Sequence, residues 1–155
     1  MRKVMLAVMA GGLVVGTLDL LFAWGFWAPK GATLTGILQS IAAGWYGKAS
    51  QGMGTTSALV GALSHYAIAA CFVLAYWMLA RMRPALLRRP VAFGFAYGLG
   101  LYAVMNFVVL PLSAAGMPRF DNVAWVGSSV LAHGIFGAIC AWFAGRATAM
   151  DVAAG

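Results

Sequence analysis

The sequence predicts an all-α bundle of four transmembrane helices, a polytopic membrane protein, and three observations carry that prediction. First, 63% of the 155 residues are apolar and only 8% are charged, with a mean hydropathy of +0.90. A soluble domain is nearer half apolar and a quarter charged, and ten Lys and Arg with three acidic residues cannot cover its surface. Second, four apolar runs, about 4–27, 56–80, 91–112 and 123–145, each reach the ~20 residues needed to cross a bilayer. Third, the basic residues stand at the ends of those runs, where membrane topology places them. An ordinary soluble domain, a disordered tail and a disulfide scaffold are thereby excluded. The net charge of +7 and the pI near 10 reflect topology and are no nucleic-acid footprint, so the partner to expect is the lipid bilayer.

The first run follows Arg2-Lys3, as a signal peptide would. It is too long for a signal h-region, contains Asp19 and lacks a small-x-small cleavage site, so it reads as the first helix of the mature protein. After Pro29 and Gly31, Leu34, Ile37, Leu38, Ile41 and Trp45 fall at i, i+3, i+4, i+7 and i+11, with Thr35, Gln39 and Lys48 off that stripe. The segment is too short to span. It predicts an amphipathic helix over about 33–47, on the outer surface or under the mouth of the bundle. The second and third runs are joined by a basic loop from Arg81 to Arg89, a topology determinant or an attraction for anionic lipid. Pro90 suits the first position of the next helix. The short turn 113–122 joins the last two runs, and Asp121 or Asn122 caps the final helix. The whole chain, 1–155, reads as one transmembrane domain.

Orientation follows from Lys and Arg placement. With a cytoplasmic N-terminus, Arg2, Lys3, Arg81, Arg83, Arg88, Arg89 and Arg146 lie inside, and Lys30, Lys48 and Arg119 lie outside. Seven against three puts both termini in the cytoplasm. Trp24, Trp27, Trp45, Tyr46 and Trp125 then mark the outer interface, and Tyr76, Trp77, Tyr97 and Trp142 the inner one. Cys71 and Cys140 both fall inside apolar runs and read as small buried residues.

The two halves form a weak parallel repeat. Gly12-x-x-x-Gly16 in the first helix matches Gly94-x-x-x-Gly98 in the third, 82 residues on. His65, flanked four residues away by Gly61 and Ala69, matches His133, flanked by Ser129 and Gly137, 68 residues on. The 14-residue difference is about what the extra outer helix adds to the first half. Small-xxx-small spacing allows close helix packing.

A charged group in a membrane helix costs a few kcal/mol and needs a reason. The spans hold one carboxylate, Asp19, and two imidazoles, His65 and His133. At ~1.5 Å per residue these three lie about 12–14 Å below the outer ends of their helices. Tyr102 and Asn106 on the third helix bracket the same level, so all four helices place a polar group in one slab. Three readings follow. One is a buried hydrogen-bond network that fixes helix register, with Asp19 accepting from a His N–H or a hydroxyl and Tyr102 and Asn106 completing it. The second is a carboxylate–imidazole site that binds a proton or a small polar ligand. The third is a b-type haem held between His65 and His133 as axial ligands. No Cys or Glu stands at ligand spacing for a structural metal site. No nucleophile motif is present either, and Ser64 faces away from its neighbour His65, so catalysis is not expected.

Four strings, LQSIAAG at 38–44, LSHY at 63–66, RRPVAFG at 88–94 and MNFVVLPLS at 105–113, together resemble a group of small four-helix bacterial inner-membrane proteins, akin at a distance to YagU-like proteins. The resemblance covers about residues 12–146. It implies the fold and a bacterial inner-membrane location, and it supplies no activity and no catalytic residue. The function expected is that of a non-enzymatic accessory subunit or small carrier without a resident cofactor. It would work as a homo-oligomer or within a larger membrane complex. A bis-histidine haem redox protein and a structural or assembly factor are the alternatives.

Overall fold

The computed structural model describes residues 1–152, so the last three residues of the 1–155 domain lie outside the described residues. The chain forms α1 (Arg2–Trp27), α2 (Leu34–Tyr46), α3 (Gly54–Met82), α4 (Pro90–Val104), a π-helical turn (Met105–Val109), α5 (Leu110–Leu112) and α6 (Val123–Val152). Four stretches are long and apolar enough to cross a membrane: Arg2–Lys30, Gly54–Met82, Pro90–Leu112 and Val123–Met150. They are apolar all round. Leu6, Leu13, Leu63 and Val123 are among the many large apolar side chains left exposed, and such a surface needs an apolar surrounding.

α6 runs past the expected end at 145. Arg146, which looked like a stop, folds its guanidinium over the Trp142 ring at 3.9 Å, and Ala147 beyond it is fully buried. Asn122 caps this helix, its Oδ1 accepting from the Trp125 N–H at 3.0 Å. The third span is less regular than expected. Pro111 lacks an N–H and its ring crowds the carbonyl four residues back, and the helix widens to a π turn just before it.

α1 packs on α3 and α6, and α4 packs on α6. Both close pairs rest on glycine. A Cβ on Gly12 would sit 2.6 Å from the Ala70 Cα, and one on Gly94 would sit 2.7 Å from the Ala138 Cα. The two glycines are 82 residues apart and their two partners 68, the offsets that relate the halves in sequence.

The core lies toward the end that carries the N-terminus. There Val4, Val8, Val73, Tyr76, Cys140 and Ala144 are sealed at 1% exposure or less. The Tyr97 hydroxyl donates to the Phe72 carbonyl at 2.8 Å and ties α4 to α3 at this level. Tyr76 and Trp77 are therefore core residues and do not stand in an interfacial belt, because their rings fill the gap between helices. Cys140 is buried as expected, whereas Cys71 turns outward and is exposed.

Toward the other end the helices part, and α2 closes over the gap. Thr33 caps α2, its Oγ1 accepting from the Gly36 N–H at 3.0 Å. The Leu38 carbonyl lies directly on Gly61, and the Trp45 Nε1–H donates to Ser64 Oγ at 2.9 Å. Gln39, off the apolar stripe, is nonetheless buried, because its amide donates to the Gly54 carbonyl at 3.0 Å. The Ala114 N–H donates to the Gly44 carbonyl at 2.9 Å and joins α2 to the 113–122 turn.

Candidate functional site

Glycine placement brings the polar groups together. Gly16 gives α3 room against α1 and leaves its carbonyl open, and the His65 Nε2–H donates to that carbonyl at 2.8 Å. Asp19, one turn further along α1, has its Oδ2 3.9 Å from the same Nε2. On the other side, Gly98 rests on the His133 backbone, and a Cβ there would collide with the His133 carbonyl. Tyr102, one turn on, meets the His133 ring edge-on with centroids 5.3 Å apart. The His133 Nδ1–H donates to the Ser129 carbonyl at 2.9 Å, and the Asn106 Nδ2–H donates to the Tyr102 carbonyl at 2.9 Å.

Asp19, His65, Tyr102, Asn106 and His133 all line one cavity of about 1110 Å³ among the spanning helices, roofed by α2. Asp19 lies within electrostatic reach of both imidazoles. Of the three readings of the sequence, the side-chain hydrogen-bond network is not formed among the described residues. Among the described residues no hydrogen bond joins one of these five side chains to another; the side-chain N–H groups of His65, Asn106 and His133 that do bond go to backbone carbonyls. The consequence is chemical. With the imidazoles neutral, His65 keeps Nδ1 and His133 keeps Nε2 as free acceptors, and Asn106 keeps its Oδ1. The Asp19 carboxylate, with its side chain 33% exposed, accepts no hydrogen bond among the described residues.

Three contributors to the cavity were not singled out in the sequence. Ser129 was read only for its small size. It is 4% exposed, lines the cavity, and its Oγ has no hydrogen-bond partner. Arg119, counted only as a topological charge, stands exposed at the rim. An aromatic wall surrounds Trp125: Phe22 stacks on it at 5.5 Å, Phe26 and Trp27 lie tilted against it at 5.0 and 5.3 Å, and Lys30 caps Trp27 at 4.4 Å. The i, i+4 spacing of Phe22 and Phe26 was the available signal for that wall.

Exposed residues of α3, α5 and α2 line the cavity, so it is open to the surroundings rather than sealed. Leu63, Leu112 and Trp45 line it and are 72%, 83% and 69% exposed. Among the described residues, no three His, Cys, Asp or Glu side chains gather to hold a metal ion. No protein-family model, no curated protein and no solved structure matches this chain.

Proposed function

We propose that this is a small non-enzymatic bacterial inner-membrane protein that binds a proton or a small polar ligand in its intramembrane cavity. It acts as an accessory subunit or small carrier in a homo-oligomer or larger membrane complex. Both termini are cytoplasmic, α2 is interfacial on the outer side, and the halves are a parallel repeat whose matched glycine contacts support that reading. One observation carries the proposal: groups from all four spanning helices converge on one cavity with their acceptors unspent. A network built only to hold helices together would have consumed them.

The test blocks the cavity without touching its polar groups. Ala67 lines the cavity and is exposed, so Ala67→Trp fills the opening without displacing the core. Thermal unfolding of the purified protein is followed against a panel of small polar and amphiphilic compounds. We expect at least one to stabilise the parent and to lose that effect in Ala67→Trp. A panel that shifts neither protein, or both alike, would falsify the reading and leave the structural or assembly role.

A b-type haem held by His65 and His133 is placed second. One observation favours it: a ring anchored through Nδ1–H to a carbonyl, as His133 is to Ser129, leaves Nε2 free in the arrangement common to metal-ligating histidines. His65 is turned the other way, its Nε2–H held by Gly16, and would have to give up that bond or use Nδ1. A Soret band in the purified protein that moves on reduction would reverse the order of the two readings.

A further inference from the structure

We infer that the cavity takes a single-chain amphiphile whose head is a primary or secondary ammonium. This rests on the reading above that the cavity is a ligand site, and it names the chemical class of the ligand. The first argument is the balance of donors and acceptors. The neutral imidazole N–H groups of His65 and His133 and one Asn106 N–H are spent on the carbonyls of Gly16, Ser129 and Tyr102. What remains of the polar groups at this level is the Asp19 carboxylate, two imidazole lone pairs and an amide oxygen as acceptors, against the second Asn106 N–H and the hydroxyls of Ser129 and Tyr102 as donors. A head with several N–H groups and a positive charge satisfies this set, and bonds to a carboxylate are the strong, charge-assisted kind.

The buried Ser129 hydroxyl is a second, independent pointer. A hydroxyl taken out of water without a partner costs free energy that a ligand head would recover. A carboxylate or phosphate head fits poorly. It would be drawn to Arg119 at the rim and would then meet Asp19 and the lone pairs within.

The walls decide the rest. Beyond its polar groups the cavity is apolar and aromatic, with Phe22, Trp125 and Phe136 facing it, and aromatic faces attract cations. Its opening admits a chain from the bilayer. Its polar groups lie about 12 Å below the end of α1, the eight residues from Trp27 back to Asp19. A headgroup of a resident bilayer lipid stays at the interface, whereas a free single-chain amine can bring its head to that depth.

The test uses the full-length protein in phosphatidylcholine nanodiscs, with empty discs as baseline and tryptophan fluorescence as the readout. The probes are dodecylamine, dodecyltrimethylammonium, dodecanol and dodecanoate. Dodecylamine is expected to bind at least about ten-fold more tightly than the other three. Asp19→Asn is expected to bring the amine down to the level of the alcohol. The four-probe comparison on the parent needs no variant, so it stands even if Asp19→Asn does not fold. Quaternary ammonium binding as tightly as the amine overturns the hydrogen-bond argument. Dodecanoate binding as tightly overturns the charge assignment. Equal binding by all four leaves a plain apolar pocket, and the ammonium inference falls while the ligand-site reading survives. No probe binding the parent above the baseline, with no effect of Ala67→Trp in the thermal assay, defeats both. Loss of amine binding in phosphatidylethanolamine discs makes a bilayer lipid the occupant and overturns the single-chain assignment.

Discussion

Asp19 and His65 lie far apart in sequence and are neighbours in space, yet the structure gives them different tasks. His65 donates to the Gly16 carbonyl and so clamps α3 to α1. Asp19 forms no hydrogen bond among the described residues and stands 3.9 Å from that imidazole. The two substitutions should therefore diverge. His65→Ala removes this interhelical hydrogen bond and leaves space where the ring packed, and should cost about 1–2 kcal/mol of stability in detergent. Asp19→Leu exchanges a carboxylate without a hydrogen-bond partner for an apolar side chain and should be neutral or stabilising by roughly 1 kcal/mol, while ligand binding is lost. Ser129→Ala should behave like Asp19→Leu, since it removes an unpartnered buried hydroxyl. Thermal denaturation of the three variants beside the parent checks this. Marked destabilisation by Asp19→Leu would return the carboxylate to a role in fixing helix register.

At the level of elements, helix approach is set by where side chains are missing. A Cβ on Gly98 runs into the His133 backbone carbonyl, which cannot rotate away, so Gly98→Ala should push α4 off α6 and cost about 1–3 kcal/mol. Gly100, two residues on, has nothing within 4 Å of its would-be Cβ, and Gly100→Ala should stabilise by roughly 0.5–1 kcal/mol through helix propensity. Equal unfolding temperatures for the two variants would contradict the packing. Gly98 was legible in the sequence as one of a GxxxG pair with Gly94, and the four apolar runs and the stripe of α2 were legible by length and period. Other features were not. Spacing along one helix does not say which carbonyl a side chain finds on the next, so the spending of the imidazole N–H groups on Gly16 and Ser129 was out of reach. Nor does an apolar stripe register Gln39, whose burial depends on a carbonyl supplied by α3.

At the scale of the whole molecule, one helix seam is left open. Gly12 on Ala70 and Gly94 on Ala138 hold the two helix pairs alike, and α1 closes on α6. The corresponding closure of α3 on α4 is limited to the level of Tyr97 and Phe72, and beyond it the cavity and its roof α2 take the space. Which side of the membrane that roof faces is decided by charge. The loop between α3 and α4 carries Arg81, Arg83, Arg88 and Arg89, and the N-terminus adds Arg2 and Lys3, whereas the α2 end has Lys30, Lys48 and Arg119. Short loops rich in Lys and Arg stay in the cytoplasm, so the roof should face outward. A reporter inserted at Gly116 tests this, because that glycine sits in a turn at φ 77° with nothing within 4 Å of its would-be Cβ, and an insertion there disturbs no packing. It should report the outer side, and the same reporter fused after residue 155 should report the cytoplasm. Replacing the four loop arginines by glutamine removes most of the bias and should give a mixed or inverted pattern. An outer-side signal from the C-terminal fusion of the parent would invert the assignment, and the cavity mouth would then face a ligand arriving from the cytoplasmic leaflet.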